Sequence, residues 1–286
     1  MDGFTYNGVH CSTYGVGYIP DASGRWFDGA KFDVYETDVS WKNGGYYYGN
    51  RAKNREFELR CYFEEITIKQ REDIRKWLHR DTSGQLIFDS MPFVYWNVRP
   101  TGLATGNIYN DTGKYSGTFS IKFTAYEPFG YLTRKYNTQS DNDNANDYCD
   151  LIAQESMPAA PTTSSSSFSV YNPGREVCGL TVRLRGSTSN PIMFKNATNN
   201  TSCIIRSLPG SKTLDINGDT GKVVQYSGTS TSSATQAYVY HDRGIVRLNP
   251  GTNTINILEK TSSDTWGARD TLSLSYIAID YQPRIL

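Results

Sequence analysis

Asp215, Asn217 and Asp219 stand at the first, third and fifth places of DINGD, a run that opens like a calcium-binding loop. Such a loop also needs glycine at the sixth place for its sharp turn and a bidentate glutamate at the twelfth. Those places hold Thr220 and Tyr226, so the run reads as a hairpin turn. The overlapping GDTGK at 218–222 ends like a phosphate-binding loop, but no glycine lies five places before Gly221. Val223 also replaces the hydroxyl residue that would hold magnesium. Gly15 and Gly17 form a lone GxG with no helix behind it. Glu64-Glu65, and Asp242 with Asp219, are the acidic pairs on which glycoside hydrolysis would have to draw, and nothing in their spacing sets them on two sides of a substrate. His10, His79 and His241 are scattered, there is no GxSxG, and the cysteines at 11, 61, 149, 178 and 203 show neither CxxC nor Cys/His spacing. The expectation is no catalytic residue, no metal and no cofactor, with five free thiols and Cys61 facing a core. The Asn-x-Ser/Thr matches at 196–202 read as a polar loop.

The element that must organise the first half is 54–81, NREFELRCYFEEITIKQREDIRKWLHRD, where the hydrophobic period changes. Phe57, Leu59, Cys61 and Phe63 alternate with polar residues, the period of a strand with one buried face. From Thr67 the period lengthens: Thr67 and Gln70 fit a capping box, and Ile74, Trp77 and Leu78 fall on one side of a helix whose other faces are charged. Around it the sequence predicts strands before Pro20 and at 30–41, 85–88, 93–98 and 117–126, with turns at Ser23-Gly24 and Asp81-Thr82-Ser83-Gly84 and the strand at 93–98 ending before Pro100. GGYYYG at 44–49 places Tyr46, Tyr47 and Tyr48 together, so whichever face the backbone takes, aromatic surface is left to fold back on the domain or to meet another chain.

The chain is long enough, at 286 residues, for two cores. Its 29 basic and 29 acidic residues leave no global field to attract nucleic acid or an anionic membrane. No apolar run approaches a membrane span and MDGFTYN is unlike a signal peptide, so synthesis in the cytoplasm without membrane insertion is expected. Composition shifts at 137, where an acidic stretch passes into a Pro/Thr/Ser-rich one, with a helical turn expected near Leu151. Domains are therefore expected at 1–136 and 168–286, with a linker at 137–167. About eight short strands are expected in the second, at 180–185, 203–205, 213–216, 236–240, 244–248, 253–258 and 272–279 among others, the spacing of a β-sandwich. The overall class is mainly β, two β-sandwich domains with one helix packed on the first.

The order of FTYNG at 4–8, NREFELRCYF, a charged helix ending in Trp77-Leu78, GQLIFD at 84–89, YWNV at 95–98 and FSIKF at 119–123 running into EPFGY at 127–131 resembles the distal tail protein (Dit) family of long-tailed siphophages. In the second half TLDI at 213–216, GKV at 221–223 and RLNPGTNTI at 247–255 resemble the family's C-terminal sandwich, with its L-x-P-G-x-N-x-I segment. The departure from the family pattern is VYETDVSWKNGGYYY at 34–48, where many relatives have a compact glycine-rich turn. The resemblance implies a non-enzymatic virion component of the tail tip, made in the host cytoplasm. Its first domain would carry a hairpin extension and form a homohexameric ring joining the tail tube protein to tail-tip and baseplate proteins. A galectin-like or carbohydrate-binding-module-like second domain, outside the ring, would dock receptor-binding or accessory proteins. Tyr46, Tyr47 and Tyr48 are then candidates for a subunit or tube contact. The alternative is a carbohydrate-binding module recognising host cell-wall sugars on Tyr238, Tyr240, Trp266 and Tyr276. Tyr238 and Tyr240, expected on one strand face, could equally pack in the core.

Overall fold

A computed structural model describes residues 3–20, 30–38, 45–79, 81–132, 136–137, 161–188, 190–208, 210–227, 234–261, 265–267 and 272–285. The chain forms two compact units that divide between Thr133 and Arg134.

The first unit contains strands β1 (Phe4–Tyr6), β2 (Val9–His10), β3 (Val16–Ile19), β4 (Phe32–Asp38), β5 (Gly45–Ala52) and β6 (Arg55–Ile66), helix α1 (Ile68–Leu78), and strands β7 (Gly84–Phe88), β8 (Met91–Asp111), β9 (Lys114–Ala125) and β10 (Gly130–Leu132). Its main sheet runs β2-β1-β7-β8-β9-β6-β3, with β10 beside β8. Asn7 and Gly8, at φ 51° and 79°, make the two-residue turn that joins β1 to β2, a conformation those two residue types favour. The sheet doubles over. Phe57 on β6 lies 5.9 Å from Phe88 on β7, and Tyr6 on β1 lies 4.8 Å from Phe123 on β9, although neither pair of strands is adjacent in the sheet. The alternation read in 55–66 is the cause: Phe57, Leu59, Cys61 and Phe63 are buried between the two layers.

Helix α1 closes one end of this core. Thr67 Oγ1 accepts the Gln70 N–H at 3.3 Å and Gln70 Oε1 accepts the Thr67 N–H at 2.8 Å, the expected capping box. Ile74, Trp77 and Leu78 are its buried residues. Trp77 stacks on Phe4 at 5.8 Å and 10°, and its Nε1–H donates to the Tyr6 carbonyl at 3.1 Å. Thus the helix is fastened to β1 by both the face and the edge of one indole.

Pro100 does not end a strand. The first part of β8 pairs with β7 and the rest with β9, and the register shifts between Pro100 and Gly102. A bulge is where a residue without an N–H can sit inside a sheet. Beyond it β8 continues along β9 to the turn at Thr112-Gly113, exposed along 101–111 as the outer strand of an arm in which β9 pairs on its other side with β6.

The second unit contains β11 (Tyr136–Asn137), β12 (Ser167–Asn172), β13 (Cys178–Ser187), β14 (Ile192–Asn196), β15 (Ser202–Ile205), β16 (Lys212–Ile216), β17 (Val223–Ser227), β18 (Thr235–Gln236), β19 (His241–Arg243), β20 (Val246–Leu248), β21 (Gly251–Lys260), β22 (Trp266–Gly267), β23 (Ser273–Tyr281) and β24 (Arg284–Ile285). One sheet runs β11-β23-β13-β16-β17-β18 with β20 on β13; the other runs β12-β21-β14-β15-β19 with β22 on β21. Leu180, Val182, Ile277 and Ile279 from the first and Phe194, Ile205, Ile255 and Ile257 from the second share one core. This is a sandwich, and the mainly-β reading with one helix is borne out among the described residues.

Three expectations change here. The predicted strand at 236–240 stops at Gln236, and Tyr238–Tyr240 form a 3-10 turn closed by the Tyr240 N–H on the Ala237 carbonyl. Strand β14 escaped the sequence reading because Ile192, Met193 and Phe194 are all buried, which erases the alternation that betrays a half-wet strand. The first residue of the expected linker, Asn137, pairs with Asp280, and its last, Ser167, opens β12. Residues 138–160, with Cys149 and the Leu151 turn, lie outside the described residues, as do Trp41 and the Ser23-Gly24 turn.

The LNPGTN segment acquires a physical reason. Asn253, fully buried, accepts the Asn249 N–H at 2.9 Å and donates to the carbonyls of Asn249 at 2.7 Å and Gly251 at 2.9 Å. Its Oδ1 also accepts from Asn196 Nδ2 at 2.9 Å. One amide therefore holds the β20–β21 turn and ties it to β14. Asn253→Ala should lower stability by about 2–4 kcal/mol, because it strands buried backbone groups as well as deleting bonds; urea denaturation of the second unit within the full chain measures this.

Candidate interaction surfaces

Strands β4 and β5 form a two-stranded ribbon that pairs with no other described strand. Tyr47 lies opposite Glu36 and Tyr46 opposite Thr37. The register shifts between Tyr35 and Glu36, so Tyr48 is the extra residue of a bulge completed by Gly49 at φ 136°. The tyrosines are thus part of a strand and not of a hairpin tip, and the residues 39–44 that join β4 to β5 lie outside the described ones. Side chains alternate along a ribbon, which spreads the rings over both of its faces. Tyr46, Tyr47 and Tyr48 are 50, 63 and 70% exposed, and Phe32, Val34 and Tyr35 on the facing strand are exposed as well. Exposed apolar side chains gathered on one element in this way are the usual mark of a protein–protein contact. The ribbon's base is fixed by the Lys53 N–H on the Lys31 carbonyl at 2.7 Å and by Lys53 Nζ on Asp33. A second exposed apolar set, Leu103, Ile108 and Tyr109, lies on the β8–β9 arm.

The four aromatics proposed for sugar do not make one platform. Tyr276 stands on β23 in one sheet, opposite Arg185, and Trp266 on β22 at the border of the other. Tyr238 projects from the 3-10 turn, while Tyr240 packs against the core. Burial raises the Tyr276 hydroxyl's pKa above the ordinary phenol value, with Asp215 adding to it and Arg183 opposing it.

Two constellations went unseen in the sequence because their members are distant along the chain. Arg183 bridges Asp215 at 2.8 Å and Asp280 at 2.9 Å across three adjacent strands. His10 Nδ1 faces Ser12 Oγ at 2.7 Å and His10 Nε2 faces Asp89 Oδ2 at 3.1 Å, the order of groups that acyl transfer uses. Here, however, Nδ1 also accepts the Ser12 backbone N–H and caps the 3-10 turn at Cys11–Tyr14. Its lone pair has a structural task. A Cβ on Gly3 would come within 2.6 Å of His10 Nε2, so glycine there admits the clamp.

The loop that imitates calcium and phosphate sites has spent its groups. Asn217 Oδ1 accepts the N–H groups of Asp219 and Thr220 and the Thr220 hydroxyl, and the Gly221 N–H donates to the Asn217 carbonyl. Asp219 accepts the Gly179 N–H and pairs with Arg284 at 2.8 Å. Asp242 pairs with Arg206, and Glu65, at φ 52° in a bulge of β6, pairs with Lys114, which holds its carboxyl below the usual range. The acidic pairs therefore serve as separate surface contacts. Four cysteines, Cys11, Cys61, Cys178 and Cys203, are buried free thiols.

Residues 10–125, which include α1, the ribbon, the arm and the doubled sheet except β1 and β10 and the start of β2, match the family model described as a phage tail protein RIFT-related domain. That segment is therefore similar to phage tail domains. Across both units the chain is similar to the crystal structure of SPP1 Dit (gp 19.1), described as a paradigm of the hub adsorption apparatus in phages infecting Gram-positive bacteria. The TM-score is 0.67 at 15% identity, over 100% of each chain. The phage p2 baseplate in its activated conformation is also similar: with strontium the TM-score is 0.52 at 11% identity, and with calcium 0.51 at 10%, each over 99% of this chain and 98% of that one. No curated protein matches the sequence. The resemblance to siphophage distal tail proteins is borne out by this family match and by the likeness to SPP1 Dit over both full chains.

Proposed function

We propose that this chain is a structural hub of a phage tail tip. Six copies form a ring that joins the tail tube to the tail-tip and baseplate proteins, and the second unit docks receptor-binding or accessory proteins. The observation that carries this reading is the full-length likeness to SPP1 Dit, both chains being covered end to end, together with the phage tail family match at 10–125. The exposed ribbon with Tyr46, Tyr47 and Tyr48 fits a contact with the next subunit or the tube, since a closed ring needs two different complementary patches on each copy. Imaging of the virion with a label on this protein is the test. Density confined to the tail tip, at the level of a single ring, is expected; density anywhere else overturns the proposal.

A second reading is favoured by one observation, the half-exposed ring of Tyr238 on an outward turn: the second unit holds cell-wall sugar. Retention of the full chain on purified host walls, abolished by Tyr238→Ala, is expected on that reading. No retention removes it.

A further inference from the structure

The sequence contains three Asn-Gly steps, at 7–8, 43–44 and 217–218. This is the pair most prone to self-reaction, because the glycine N–H meets no side chain as it approaches the asparagine amide. The two steps among the described residues sit in opposite circumstances. Asn217 Oδ1 holds three donors at 2.8–3.0 Å. The Gly218 N–H donates to Thr181 Oγ1 at 3.2 Å, and a Cβ on Gly218 would lie 2.3 Å from the Leu180 carbonyl oxygen. Both reacting groups are therefore engaged and the glycine is walled in by backbone. Asn7 and Gly8 are exposed, and a Cβ on Gly8 would meet nothing within 4 Å.

We propose that Asn7 is a site of spontaneous covalent modification, and that Asn217 is protected from the same reaction by its turn. The Gly8 amide nitrogen attacks Cγ of Asn7, the new N–Cγ bond forms as the Cγ–Nδ2 bond breaks, and ammonia leaves. Water then opens the succinimide at either carbonyl, giving aspartate or isoaspartate, with no oxidant or reductant required. Isoaspartate inserts a methylene into the main chain at the two-residue turn. The carbonyl next to that turn, on Tyr6, is the acceptor of the Trp77 Nε1–H, and the Asn7 N–H donates to the Gln85 carbonyl at 2.8 Å. The modification therefore loosens the seat of α1.

The test is peptide mapping of the full chain after incubation at mildly alkaline pH in heavy-oxygen water, which marks each hydrolysed succinimide. Conversion at Asn7 is expected to be at least about tenfold faster than at Asn217, equivalent to about 1.4 kcal/mol in barrier. Equal rates, or faster conversion at Asn217, overturn the proposal. Asn7→Gly removes the reacting amide and keeps a residue at ease with positive φ. Aged wild-type chain should melt lower than fresh chain, and aged Asn7→Gly should not. An aged wild type with Asn7 converted and an unchanged melting temperature overturns the link to α1.

Discussion

Trp77→Ala lowers the stability of the first unit by about 3–5 kcal/mol, the cost of truncating a buried tryptophan. The magnitude comes from three losses at one position. The side chain is 1% exposed, so its removal leaves a cavity under the helix. The stack on Phe4 disappears, as do the ring contacts with Tyr6 at 6.3 Å and Tyr14 at 5.0 Å. The Tyr6 carbonyl loses the indole donor. An 11-residue helix has little stability of its own, so α1 depends on this seat. Trp77→Phe separates the contributions: it keeps a ring over Phe4 and deletes the hydrogen bond, and is expected to cost about 1–3 kcal/mol. Urea denaturation followed by circular dichroism measures both variants. An unchanged midpoint for Trp77→Ala would mean that the helix is held by Ile74 and Leu78 alone.

The stretch that contains Trp77 was the most legible part of the chain, because two periods, a cap and a buried stripe all pointed to one arrangement. The capping box, the buried faces of β6 and α1 and the core position of Cys61 follow from those residues directly. What the sequence hid is of two kinds. Some strands carry no alternation because both faces are covered, as at Ile192–Asn196, or because they lie out in solvent, as in the far part of β8, where the polar and apolar residues of TGLATGNIYND are exposed alike. Other features depend on pairing between distant segments. Arg183 finds Asp280 across 97 positions, and His10 finds Asp89 across 79. No local pattern encodes either contact. The candidate surface lies between these cases: composition alone singled out Tyr46, Tyr47 and Tyr48, but their place on a bulged strand of an unpartnered ribbon required the register of β4 with β5.

On the proposed ring, that register makes the ribbon the place where self-assembly would be most exposed to mutation. Replacing Tyr46, Tyr47 and Tyr48 together by serine should leave the fold intact, since none of the three is buried and the backbone pairing of β5 with β4 does not use their rings. Assembly should respond very differently. Interface tyrosines are frequent hot spots, and losing two such contacts at about 2 kcal/mol each weakens one subunit contact by about 4 kcal/mol, close to a thousandfold. A closed ring repeats that contact at every junction, so the loss compounds and the variant should remain monomeric at concentrations where the wild type assembles. Light scattering behind size exclusion, run across a concentration series on both proteins, reads the difference. Circular dichroism melting serves as the control and should agree between them within about 0.5 kcal/mol per surface substitution. If the serine variant assembles like the wild type, the ribbon is not the subunit contact. If it melts early, the rings are packed on their own unit, and the reading of the ribbon as an interface fails.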